Sequence, residues 1–163
     1  MLDDQKEVSP MYREPVFQRE RIVRFHHCDP AGIVFYPQYL VMLHALIECW
    51  FDEGLDLPYG QFILQQRLGI PIVRLECEFL VPSMLGESLT FSLAVERLGT
   101  SSIDLAMEVR GTIQQGMEQT RMKARQTVVL MSLDTHRPVP IPPSLRERMS
   151  AFLPTRQAEP VRG

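Results

Sequence analysis

Cysteine is scarce in this chain. The three present, Cys28, Cys49 and Cys77, are an odd number with no Cys-x-x-Cys pair. That argues against a disulfide framework and against a zinc ribbon, and it suits a reducing cytoplasm. A cationic surplus is also missing: 17 Lys+Arg stand against 20 Asp+Glu, a formal net charge of -3. Composition therefore points away from nucleic acid and anionic membrane as partners, and any phosphate-bearing ligand must be met by local basic residues. Long apolar runs are absent too. No segment approaches the roughly 18 uninterrupted apolar residues of a membrane-spanning helix. Met1 to Arg13 carries acids and bases where a secretion signal would carry an apolar run. The expectation is a soluble, unexported, cytoplasmic protein.

What is present suffices for one core: 163 residues, 45% of them hydrophobic, match a single domain that needs no covalent staples. Residues 1–16 and 154–163 mix charge and proline without a sustained period and read as loose tails, leaving 17–153 as the domain. Phe17 to His26 alternates as a strand. Asp29-Pro30-Ala31-Gly32 then breaks it and turns the chain. From Pro37 to Glu53, Leu40, Leu43, Leu46, Ile47, Trp50 and Phe51 recur at three and four residues, the mark of a helix with one buried stripe, and Gly54 is a natural stop.

Period-two alternation follows at Val73 to Val81, which reads as a half-buried strand, at Leu89 to Glu96 and at Ile103 to Arg110. Arg121 to Leu133 opens polar and ends apolar on both faces, and a proline-rich stretch precedes a short helix over Leu145 to Phe152. One strand, a long helix and four antiparallel strands joined by short links pack most simply as a curled antiparallel sheet wrapped around one helix, an α+β fold.

The densest set of reactive side chains is His26-His27-Cys28-Asp29, at the junction between the first strand and the helix. Junction loops commonly hold functional groups. A metal site is disfavoured, because neighbours on a strand point to opposite faces. Cys28 reads as a small buried hydrophobe. Asp29 is either an Asx-turn that organises the loop before Pro30 or a carboxylate, ordinarily ionised at neutral pH, that serves as nucleophile or general base. Just beyond it a helix N-terminus offers unpaired N–H groups and partial positive charge, the donor arrangement an oxyanion needs. Gly32 lets the backbone pass close to a bound group. His44 and Glu48, four apart, share one helix face and either look toward a pocket or form an ordinary solvated pair.

The run from Phe25 to Tyr39, and above all Cys28-Asp29-Pro30-Ala31-Gly32-Ile33-Val34, resembles the active-site segment of the 4-hydroxybenzoyl-CoA thioesterase family. The similarity extends more weakly from residue 17 to about 133. It implies a hotdog fold and an acyl-CoA thioesterase in which Asp29 attacks the thioester carbonyl or activates water, while the Tyr36 N–H polarises the carbonyl oxygen. No cofactor or metal is implied beyond the coenzyme A of the substrate. By ungapped count, position 44 is an aspartate in the family's 4-hydroxybenzoyl enzymes. His44 departs from that pattern and leaves the acyl group open between aryl and short or medium aliphatic. Tyr59 approximately matches an aromatic residue of the acyl pocket.

The family's basic residues for the coenzyme A phosphates are replaced here by Leu98-Gly99-Thr100-Ser101-Ser102. Arg97, Arg110, Arg121, Lys123 and Arg125 are the alternatives, the last three as a basic strip along one strand face. Each taken alone is also an ordinary surface charge. The resemblance further implies a homodimer or homotetramer with the site at the subunit boundary. A hydratase or dehydratase on the same fold and a non-catalytic acyl-CoA-binding module are the competing functions.

Overall fold

The computed structural model describes residues 16–112 and 116–154. Apart from Val16 and Pro154, the expected tails lie outside the described residues. In chain order the elements are β1 (Phe17–Ile22), a 3₁₀ turn (Phe25–His27), α1 (Tyr36–Cys49), a π-turn (Trp50–Gly54) and α2 (Tyr59–Leu64). Then come β2 (Leu68–Gly69), β3 (Ile72–Phe79), β4 (Ser88–Leu98), β5 (Ser102–Thr112), β6 (Glu118–Val129), β7 (Met131–Ser132) and α3 (Pro143–Ser150). Five strands form one sheet in the order β1-β4-β5-β6-β3, every pairing antiparallel, and β2 pairs with β7 beside it. With α1 packed on the sheet, this is the expected hotdog architecture.

The core is where the two periodicities meet. Leu89, Phe91, Leu93 and Val95 from β4 and Leu105, Met107 and Val109 from β5 share one sheet face and are buried. Against them α1 lays Tyr39, Met42, Leu43, Leu46 and Ile47, and the π-turn adds Trp50 and Phe51. Leu40, expected in this stripe, is only partly buried, because the 3.6-residue period centres the stripe on Tyr39, Met42 and Leu46 and leaves Leu40 at its margin. The Leu55 N–H donates to Trp50 O at 2.8 Å, and this wider closure carries both Trp50 and Phe51 inward. Gly54 does end the helical segment, for a packing reason: a Cβ there would meet Trp50 Cδ1 at 2.7 Å. Trp50 is fully buried, so Trp50→Ala is expected to cost about 3–5 kcal/mol, read as a lowered midpoint in urea denaturation.

Three boundaries and the burial of one strand differ from expectation. β1 ends at Ile22, and Phe25–His27 is a 3₁₀ turn rather than more strand. β6 stops at Val129 because Met131–Ser132 leaves the sheet to pair with Leu68–Gly69. α3 begins at Pro143, a residue tolerated in the first turn because its missing N–H has no partner to lose there. β3 is exposed along its whole length rather than half-buried. It is the last strand of the sheet, and its outer edge is unpaired among the described residues.

Candidate active site

After β1 the chain folds into a tight hairpin. Cys28 bridges to Val34, and the Phe35 N–H donates to His27 O at 2.9 Å. Inside the turn the Asp29 N–H donates to Ile33 O at 2.9 Å and the Gly32 N–H to Asp29 O at 3.0 Å. Gly32 takes φ +76, a left-handed conformation that glycine adopts without steric cost. The Asp29 side chain closes the structure: its Oδ1 accepts the Ala31 N–H at 2.8 Å. The Asx-turn is therefore real, and it occupies one carboxylate oxygen. Oδ2 has no hydrogen-bond partner among the described residues.

The same segment runs on into α1. Phe35 is the N-cap with extended backbone, and no side chain caps the helix. Pro37 has no N–H, and the Gln38 N–H turns back onto Phe35 O at 2.8 Å. The Tyr36 N–H keeps no partner among the described residues, as an oxyanion donor must.

The two histidines lie on the 3₁₀ turn, not on a strand, so alternation is not what separates them: their rings are 4.0 Å apart. His27 Nδ1 accepts the Arg24 N–H at 2.9 Å, and the Cys28 thiol lies 3.6 Å from Arg24 O. Burial, then His26, Arg21 and Arg24, hold His27 below the usual imidazole range. Among the described residues no group of three His, Cys, Asp or Glu side chains is placed to hold a metal ion.

His44, Glu48 and Tyr59 come together as one cluster. His44 Nε2 lies 3.1 Å from Glu48 Oε1, both side chains about half exposed. The Tyr59 ring stands edge-on to His44 at 6.1 Å and packs on Phe51 and Phe62. Burial, then the Glu48 charge, raises the Tyr59 hydroxyl above its ordinary range.

The expected basic strip is divided. Arg121 is buried, its side chain 4% exposed, with Nη1 donating to Pro82 O at 2.8 Å and Nη2 3.2 Å from Glu87 Oε1. It is not offered to solvent and leaves the set of phosphate ligands. Arg110 pairs with Glu118 at 3.2 Å. Arg97 and Arg125, with Arg74, rim a hollow of about 370 Å³ that also holds Glu76, Glu96 and Asp104. Arg97 pairs with Asp104 at 2.7 Å and Arg125 with Glu96 at 3.2 Å. Burial alone would raise the Asp104 carboxyl, but the Thr127 hydroxyl and Arg97 together bring it below its usual range. Lys123 lies opposite Glu78 and Glu108 in the sheet register and is partly buried.

A family model described as the thioesterase-like superfamily matches residues 23–149, and the chain belongs to that family. It is 28% identical over 116 residues to the 4-hydroxybenzoyl-CoA thioesterase of a Pseudomonas species, covering 71% of this chain and 82% of that one. The solved structure of that Pseudomonas enzyme superposes with a TM-score of 0.75 at 26% identity, over 82% of this chain and 98% of the other. A 1,4-dihydroxy-2-naphthoyl-CoA hydrolase of Nostoc punctiforme is 29% identical over 93 residues, 57% of this chain. The match spans 62% of the Nostoc relative's own length. No helix of the described residues is long and apolar enough to cross a membrane.

Proposed function

We propose that this protein hydrolyses an acyl-CoA thioester to the free acid and coenzyme A. The observation that carries this reading is one continuous segment that holds an Asp29 oxygen and, at the start of α1, the Tyr36 N–H, both without a partner among the described residues. The Asp29 carboxylate attacks the carbonyl carbon, or takes a proton from the water that does. The carbonyl oxygen gains negative charge beside the Tyr36 N–H, and the carbon–sulfur bond breaks with coenzyme A leaving as thiolate. If an anhydride with Asp29 forms, water opens it and returns the carboxylate. Gly32 adds no side chain to the turn, and the space beside it is open: an added Cβ would meet nothing within 4 Å.

The acyl group is aryl, in keeping with the named activities of the relatives, and meets the His44–Glu48–Tyr59 cluster. Arg97, Arg125 and Lys123 are the candidates for the coenzyme A phosphates. Two copies pair through β3, where Val73, Leu75 and Phe79 are 62%, 39% and 49% exposed in the single chain. The Phe79 ring lies 6.1 Å from that of Tyr36, so a second copy on this edge would stand beside the catalytic segment.

Free-thiol release from matched aryl- and alkyl-CoA thioesters tests the reading, and a protein that cleaves none of them is not a thioesterase. His44→Ala is expected to lower kcat/KM for a hydroxyaryl thioester about 10-fold, the loss of one polar contact, and to leave an unsubstituted alkyl thioester within about twofold. Equal losses on both would remove the cluster from acyl recognition.

A further inference from the structure

Arg121 is a costly residue to bury. Its Nε has no hydrogen-bond partner among the described residues, and its one carboxylate partner, Glu87, is itself largely covered. Apolar side chains of similar volume usually fill such a place at lower cost, so an ion pair kept there is better accounted for by what it positions. The sheet makes room for it at Gly111, where a Cβ would lie 2.7 Å from Arg121 Nε and 3.0 Å from Nη2.

Through that gap the guanidinium reaches the loop between β3 and β4. Nη1 donates to Pro82 O and Nη2 faces Glu87 Oε1, while Glu87 Oε2 accepts the Met84 N–H at 3.0 Å. The loop is thus clamped at both ends and in the middle. Its free side then builds the catalytic hairpin. The Val34 N–H donates to Ser83 O at 2.9 Å, the Leu85 N–H donates to Gly32 O at 3.0 Å, and Ile33 bridges to Met84. The buried Ser83 hydroxyl accepts from the Tyr39 hydroxyl at 2.7 Å and so ties the loop to α1 as well. Gly32 and Ile33 are the residues whose N–H and C=O fix the Asp29 backbone.

We propose that the Arg121–Glu87 pair is a positioning device for catalysis: it sets the 82–87 loop, which as a third strand against residues 32–34 aims the Asp29 carboxylate at the thioester carbonyl. Neither residue touches substrate. The inference rests on the reading of Asp29 as the catalytic carboxylate. Displacements of about 1 Å in such a group cost on the order of 10²-fold in rate, so a modest loosening of the loop is enough to be measured.

Glu87→Gln tests it with little risk to folding, because the shape is kept while one of its two bonds, to Arg121 or to the Met84 N–H, loses its acceptor. Activity is measured for Glu87→Gln, Asp29→Asn and the double variant, with amide hydrogen exchange on the full-length protein. The expected result is a fall in kcat of about 10-fold with KM within about twofold of the parent. In the double variant the loss should not multiply, since a mis-aimed carboxylate costs nothing once the carboxylate is gone. The Val34 and Leu85 amides should exchange at least about 10-fold faster while β5 is unchanged.

Parental kcat in Glu87→Gln, or losses that multiply in full, would overturn the positioning role. If instead Asp29→Asn is as active as the parent, the reading of Asp29 fails on its own. The exchange data then still decide the clamp, and unchanged Val34 and Leu85 protection would overturn it.

Discussion

Asp29→Asn is expected to lower thioester hydrolysis at least about 10²-fold, the scale of a lost general base or nucleophile, while the thermal midpoint stays within a few degrees of the parent. The substitution separates two roles that the geometry combines. Asp29 Oδ1 holds the Ala31 N–H in an Asx-turn, and the asparagine carbonyl oxygen accepts the same bond, so the turn survives. What disappears is the second oxygen as a nucleophile or base. Asp29→Ala would remove turn and chemistry together and could not distinguish them. Parental activity in the asparagine variant would leave Asp29 a purely structural residue, with the open Tyr36 N–H then serving binding alone.

Leu75→Lys combined with Cys77→Lys is expected to produce a monomer in sedimentation velocity and to reduce activity by a similar order, about 10²-fold. β3 ends the sheet with its outward N–H and C=O groups unpaired among the described residues, and every residue of it is exposed in the single chain. An exposed edge carrying Ile72, Val73, Leu75 and Phe79 is a template for pairing with another chain. Between the apolar residues stand Arg74, Glu76 and Glu78. An antiparallel two-fold centred near Leu75 sets Arg74 of each copy opposite Glu76 of the other, which favours a self-complementary contact. Added positive charges would repel across the axis. Because Phe79 contacts both Tyr36 and Tyr39, losing the partner should also loosen the start of α1. A doubly substituted protein that remains dimeric would move the interface to another surface.

Much of the fold was legible because it obeys two periods. Alternation in β4 and β5 and the three-four spacing of α1 follow directly from which side chains must face the core. Val73 to Val81 alternates just as cleanly, yet alternation cannot say whether the covering surface belongs to the same chain. Nothing among the described residues covers β3, and its apolar face is exposed there. The strand reading, carried on to His26, failed at Phe25 and His26 for a local reason: the Arg24 N–H is taken by the His27 ring, and a 3₁₀ turn forms instead.

The site was legible in parts. Asp29, Gly32 and Tyr36 fall in one contiguous segment, so their juxtaposition is written in the chain order. His44, Glu48 and Tyr59 needed helix periodicity and then the fold-back of α2 to meet. Arg121 was read as a surface cation because it alternates with Lys123 and Arg125 along the strand. Its burial depends on Gly111 one strand away and on Glu87 in a distant loop, pairings that exist only once the sheet has formed. The nearest sequence signal was a glycine inside the β5 alternation, the usual sign that another group approaches the backbone closely.

The most direct test of the central claim is product analysis of an aryl-CoA thioester turned over in ¹⁸O-labelled water. Hydrolysis predicts free coenzyme A thiol and free carboxylic acid in equal amounts, the acid carrying label from water. A hydrated or dehydrated product that is still a thioester, or an unchanged thioester recovered bound to the protein, would contradict it.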